Sequence, residues 1–131
     1  MGLSGAVRQK TYRETHRAQV REAKRKCPSY RAGRNRRNKR YNANNKLIVL
    51  AHYGLEGKVQ CVWPECSITD VDMLSLDHVQ NDGNIERCLD PNNGAGCNLY
   101  RRLKVAGFPK GFQTLCHNHQ WKKELLRRRG Q

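Results

Sequence analysis

The chain has 131 residues, six cysteines and a formal net charge of +15, and only 37% of its residues are hydrophobic. That length leaves no room for two full domains, and that composition makes a thin core of the kind small domains supplement with a metal or disulfides. No run approaches the ~18 apolar residues of a membrane span, and the stretch before Arg8 is too short for an export signal, so the expectation is an intracellular, non-secreted protein whose reduced thiols bind metal rather than pair.

In chain order, the charge comes first. Residues 1–46 hold 15 Lys/Arg and two acids, hence +13, whereas residues 47–131 hold 11 Lys/Arg and nine acids, hence +2. Such a one-signed block predicts an arm for a polyanion, most simply a nucleic acid backbone. Arg34, Arg36, Arg37, Lys39 and Arg40 form its densest run. A membrane-surface helix fits less well, because the arm lacks a strong face of Leu, Phe or Trp. Within it, residues 11–26 read as a helix capped by Thr11 with Glu14 three residues on. Its apolar stripe (Tyr12, Val20, Ala23, Cys27) is weak. Pro28 should end it, and residues 29–35, with Gly33, read as a linker.

A second helix is predicted over 36–53. Its second half, 47–53, is apolar enough to dock on a core, and Gly54 is a natural stop. The domain organisation predicted is therefore a basic, partly helical arm over 1–46 and a globular domain over 47–131. In that domain a short strand is expected at 73–76, ending at Asp77-His78, with a turn at 81–84 and a Gly/Asn-rich loop over 88–97. A short helix should span 98–106 with Leu99, Leu103 and Ala106 inward. A second strand is expected at 112–115. A last helix over 118–129 should turn Trp121, Leu125 and Leu126 to the core. The fold class predicted is α+β.

Two short pairs carry metal-ligand spacing. Cys61 and Cys66 flank a turn bent by Pro64, and Cys116 and His119 stand at a strand-to-helix junction. Four such ligands suit a tetrahedral structural zinc site, with bonds of about 2.0–2.3 Å. Buried thiols acting as small hydrophobes are the plainer alternative. Two other ligand choices exist: Cys88 with Cys97, which would enclose a loop of eight residues, and His117 in place of His119. Cys27 is isolated.

Between the two pairs stands Asp77-His78. By itself the dipeptide is equally a strand-ending turn in which Asp caps backbone N–H groups. The surrounding residues 47–54, 61–66, 74–79, 100–103 and 107–116 resemble, in order and spacing, the HNH endonuclease family of the ββα-metal fold, as found in viruses and mobile elements. The resemblance covers roughly residues 41–127. It implies a small zinc-stabilised domain with a basic helical extension, in which Asp77 holds a divalent cation, most simply Mg²⁺, and His78 is the general base that activates water. An imidazole with an unperturbed pKa near 6.5 suits that task. The products implied are a 5′-phosphate and a 3′-hydroxyl, and the substrate is double-stranded DNA, nicked by a monomer or cut on both strands by a weak dimer.

The chain departs from the family pattern in places. His119 stands where a fourth cysteine is usual. Gln120 stands where a His or Asn would be the second ligand to the catalytic cation, one methylene longer than Asn. The family's middle Asn has no counterpart, Gly111 being nearest, and Asn118 is a candidate to orient the His78 loop. Arg87, Arg101, Arg102 and Lys104 are candidates for phosphate contacts or simply a solvated helix face. His16 and His52 read as surface residues. The same residues also fit a non-catalytic zinc-ribbon protein gripping nucleic acid through the arm, or a structural RNA-binding protein.

Overall fold

A computed structural model describes residues 5–89 and 96–130; the centre of the Gly/Asn-rich loop expected over 88–97 lies outside them. The fold is α+β, mostly helical, with one two-stranded antiparallel sheet. Among the described residues no helix is long and apolar enough to cross a membrane. The chain divides into two compact units, 1–40 and 41–131.

In the first unit, α1 runs Gly5–Lys26 and buries none of its residues. It begins well before Thr11, whose hydroxyl donates to the Val7 carbonyl one turn back instead of capping. Glu22 pairs with Arg25 at 2.8 Å and Lys26 at 3.2 Å on its surface. The linker expected over 29–35 is helical: α2 runs Pro28–His52, and Cys27 alone separates it from α1. The reason is local. Proline lacks the N–H that a helix's first turn leaves unpaired, so Pro28 ends one helix and starts the next.

The second unit begins inside α2, at Tyr41 rather than 47. Asn45 is already fully buried there, its Oδ1 accepting from Lys104 Nζ at 3.2 Å. Val49 and Leu50 follow into the core. After His52 the chain turns back so tightly at Gly54 that a Cβ there would lie 1.9 Å from the Lys58 carbonyl oxygen and 2.7 Å from that of Leu50. Close approach, not a left-handed backbone, requires this glycine. Thr114 then closes the end of α2: its N–H donates to the Tyr53 carbonyl at 3.0 Å and its hydroxyl to that of Leu50 at 2.9 Å. Leu50 lies in the last turn, whose carbonyls a helix cannot satisfy by itself, and Tyr53 directly follows it.

The sheet pairs β1 (Leu74–His78) with β2 (Phe112–Cys116), Leu74 opposite Cys116, Asp77 opposite Gln113 and His78 opposite Phe112. Asp77-His78 is thus the last step of the strand itself. The core cluster is Leu50, Cys61, Leu74, Leu115 and Cys116, with Val59, Trp63, Ile68 and Tyr100 packed against it. After β1, Asn81 takes a left-handed conformation at φ 59°, and α3 (Gly83–Leu89) follows, a helix where a turn and the start of a loop were expected. Next, α4 (Cys97–Val105) buries Leu103, while Leu99 is half-buried and Ala106 is exposed, contrary to expectation.

The last helix, α5 (His117–Arg128), follows β2 directly and packs on both strands. Its Trp121, expected inward, is 60% exposed. The cause is helical phase. Gln120 and Lys123, three residues apart, face β1, and Trp121 is rotated by about 100° from Gln120.

Candidate metal centre and the adjoining cleft

Cys61, Cys66, Cys116 and His119 converge. Their ligand atoms all lie within 4.8 Å of one another. His119 Nδ1 stands 3.1 Å from Cys116 Sγ and 3.6 Å from Cys61 Sγ. Tetrahedral zinc at ordinary bond lengths would set such atoms roughly 3.5–3.8 Å apart. The quartet can therefore hold a zinc ion with little movement, His119 ligating through Nδ1. Cys88, Cys97 and His117, the alternatives, are exposed and outside the cluster.

A turn before β1, the end of β2 and the start of α5 deliver this centre. Cys61 and Cys66 flank a turn in which Glu65 adopts φ 63°. The Cys61 N–H is tied to the Ile68 carbonyl at 3.1 Å, and the Cys116 N–H donates to Cys61 Sγ at 3.3 Å. Burial pushes the Cys61 thiol up to about 11. Burial also raises that of Cys66, but hydrogen bonds from the Ile68 backbone and from its thiol neighbours outweigh it and leave Cys66 below the ordinary value. Trp63 stacks flat on the His119 ring, centroids 4.9 Å apart at 6°, and the Lys122 ammonium lies 5.6 Å from the indole centroid. The stack fixes the ligand's orientation.

The Cys/His cluster lies at one end of the β1–β2 pair, and Asp77-His78 sits at the other end of β1. The His78 ring lies against Phe112, centroids 4.8 Å apart. Its Nε2 donates to Glu86 Oε2 at 2.9 Å, and Glu86 Oε1 accepts from Arg102 Nη2 at 3.2 Å. In the neutral ring, a carboxylate on Nε2 places the proton on that nitrogen and the lone pair on Nδ1. A Cβ on Gly83 would come within 2.8 Å of both Nδ1 and Cε1, so only glycine lets α3 start this close to the ring. A cleft of about 460 Å³ opens here, lined by Asp77, His78, Asn81, Gly83, Asn84, Arg87, Glu124, Arg127 and Arg128. Arg127 and Arg128 also pair with Glu124, holding its carboxyl down at about 2.

Asp77 is half-buried and fully engaged on one oxygen. Its Oδ2 accepts from Lys123 Nζ at 2.6 Å and from Gln113 Nε2 at 2.8 Å. The same Lys123 ammonium donates to the His78 carbonyl. Gln120 donates its amide N–H to Ser75 Oγ, two residues earlier on the same face of β1. The two expected cation ligands therefore have separate partners, and an ammonium already meets the carboxylate. As arranged here, Asp77 and Gln120 do not fit a shared divalent cation.

The remaining candidates divide. Arg36, Arg37, Lys39 and Arg40 are exposed, and Arg34 lines a cleft of about 430 Å³ with Arg25, Lys26 and Arg31. Arg101 is exposed, whereas Arg102 and Lys104 are turned to Glu86 and Asn45. Asn118 is exposed. Sequence reasoning missed Glu86, Gln113, Lys123, Arg127 and Arg128. Only Gln113 had a local signal, being on the second strand opposite the Asp77 step. No family model, curated protein or solved structure matches the chain.

Proposed function

We propose that the chain is an endonuclease of the HNH type that hydrolyses phosphodiester bonds of double-stranded DNA, with His78 as general base. One observation carries this reading: an imidazole held at Nε2 by Glu86 stands at the wall of a cleft lined by Arg87, Arg127 and Arg128 together with Asp77 and Glu124. Arg87 would meet a phosphate, and Arg127 and Arg128 would do so by exchanging the Glu124 carboxylate for it. His78 Nδ1 would take a proton from water as that water attacks phosphorus and the bond to the 3′-oxygen breaks; the departing 3′-oxygen would take a proton from solvent, leaving a 5′-phosphate and a 3′-hydroxyl. A divalent cation, Mg²⁺ by the family resemblance, would neutralise charge on the leaving oxygen when bound. No step is assigned to it, because Asp77 pairs with Lys123 and Gln120 with Ser75.

The basic residues of 1–46 would supply a salt-dependent, sequence-independent grip on the backbone. A single copy of the site fits nicking of one strand by a monomer. The zinc centre would act structurally, holding β1 and α5 in register at the far end from the chemistry.

The second reading, a non-catalytic zinc-ribbon protein that binds nucleic acid, is favoured by the same two pairings. Incubation of supercoiled plasmid with zinc-loaded protein and Mg²⁺, Mn²⁺ or Ni²⁺ separates the two. Nicking that disappears in His78→Ala while DNA binding persists supports the enzyme. Binding without nicking under any of the three cations supports the ribbon.

A further inference from the structure

We infer that Lys123 is a built-in occupant of a cation seat at the end of β1, and that a divalent cation enters this seat only by displacing it. The seat has two oxygens, Asp77 Oδ2 and the His78 carbonyl, and one Nζ bonds both. An ammonium is a compact point charge, so where it touches a carboxylate and a backbone carbonyl together it occupies the position a small metal cation would take. Both side chains are well covered, 16% exposed for Lys123 and 19% for Asp77, so solvent screens the pair little.

Charge decides that the two occupants exclude each other. With Lys123 in place the seat is neutral. A dication added beside it would set three positive charges against one carboxylate in a partly desolvated site. With Lys123 swung out, the dication faces a carboxylate oxygen, a carbonyl oxygen and whatever water it keeps. The lysine has a long flexible stem that permits this movement. Position favours the contact as well as chemistry. The Cys116–His119 pair and the His117 N–H to the Met73 carbonyl, at 3.1 Å, set the start of α5 beside the start of β1. Lys123, three residues past Gln120, then reaches the strand's last step.

This inference stands on the Asp77–Lys123 geometry and not on catalysis, so its test needs no DNA. Zinc-loaded protein is titrated with Mn²⁺, and free Mn²⁺ is followed by its paramagnetic resonance signal. Lys123→Met should bind one Mn²⁺ at least tenfold more tightly than the unsubstituted chain, and the further change Asp77→Asn should abolish that gain. Equal affinity with and without Lys123, or a gain that survives Asp77→Asn, overturns it. A second measurement uses the unsubstituted protein, in case Lys123→Met does not fold. Reductive methylation of Lys123, read by peptide mass, should be slow in the metal-free seat and at least several-fold faster at saturating Mn²⁺. An unchanged rate under Mn²⁺ saturation overturns displacement. Neither outcome bears on plasmid nicking, so failure of one proposal leaves the other standing.

Discussion

Glu86, on the short helix α3, holds the Nε2 edge of His78 at 2.9 Å from across the turn that follows β1. That hydrogen bond sets which ring nitrogen has a lone pair and which way it faces. If His78 is the base, replacing it with Ala should lower nicking on the order of 10²–10⁴-fold. Glu86→Gln should cost less, about 10–100-fold, because the base remains and only its orientation and tautomer bias are weakened. Single-turnover nicking of plasmid measures both. Equal losses for the two variants would contradict a purely positioning role for Glu86.

Gly83 is the clearance for the same ring. In Gly83→Ala the new methyl would lie 2.8 Å from Nδ1 and Cε1, so His78 must turn away from Glu86 or α3 must shift. The expected result is a stability loss of about 1–3 kcal/mol by denaturant unfolding together with loss of nicking. Glu86→Gln should leave stability nearer that of the unsubstituted chain, which distinguishes the two effects.

Zinc removal should destabilise the second unit. Its core is small, and a metal bound only by the folded state stabilises that state by its binding free energy. A chelator, or Cys116→Ser, should lower the midpoint of the cooperative thermal transition. Trp63, stacked on His119, should report zinc binding through its fluorescence.

The thiols set a pH dependence. In the metal-free chain burial keeps Cys61 protonated up to about 11, against 9.0 for an ordinary thiol. Zinc must displace that proton, so zinc affinity should rise with pH, by about tenfold per unit for each proton released. The sign for the metal-free protein is opposite. Between 9 and 11 the unfolded chain sheds a proton that the folded chain retains, so stability without zinc should fall as pH rises through that window. Competition against a chromophoric chelator at several pH values checks the first, and urea unfolding of the metal-free chain across about pH 8–11 checks the second.

The basic arm should govern the salt dependence of DNA binding. Changing Arg34, Arg36, Arg37, Lys39 and Arg40 to Gln should reduce the slope of log Kd against log salt by up to about 0.9 for each phosphate no longer neutralised, roughly 4.5 if all five touch phosphate. Fluorescence anisotropy with duplex DNA at several salt concentrations measures it. An unchanged slope would remove these residues from the interface.

Sequence alone determined what depends on short-range spacing and composition. The quartet Cys61, Cys66, Cys116 and His119 was legible because ligands with two to four residues between them bite one side of an ion from a local turn, and no distant partner is needed to see that. The partition of charge and both strands were legible for similar reasons. Tertiary structure decided the partners. That Lys123 meets Asp77, and that Gln120 bonds Ser75 instead, follows from the β1–β2 register and the phase at which α5 leaves β2. The same phase exposes Trp121, which periodicity alone had turned inward. Glu86 reaches His78 only because the Asn81 turn and Gly83 bring α3 back over the strand end. These pairings join residues whose types are ordinary one by one; their chemistry arises when packing removes them from water together.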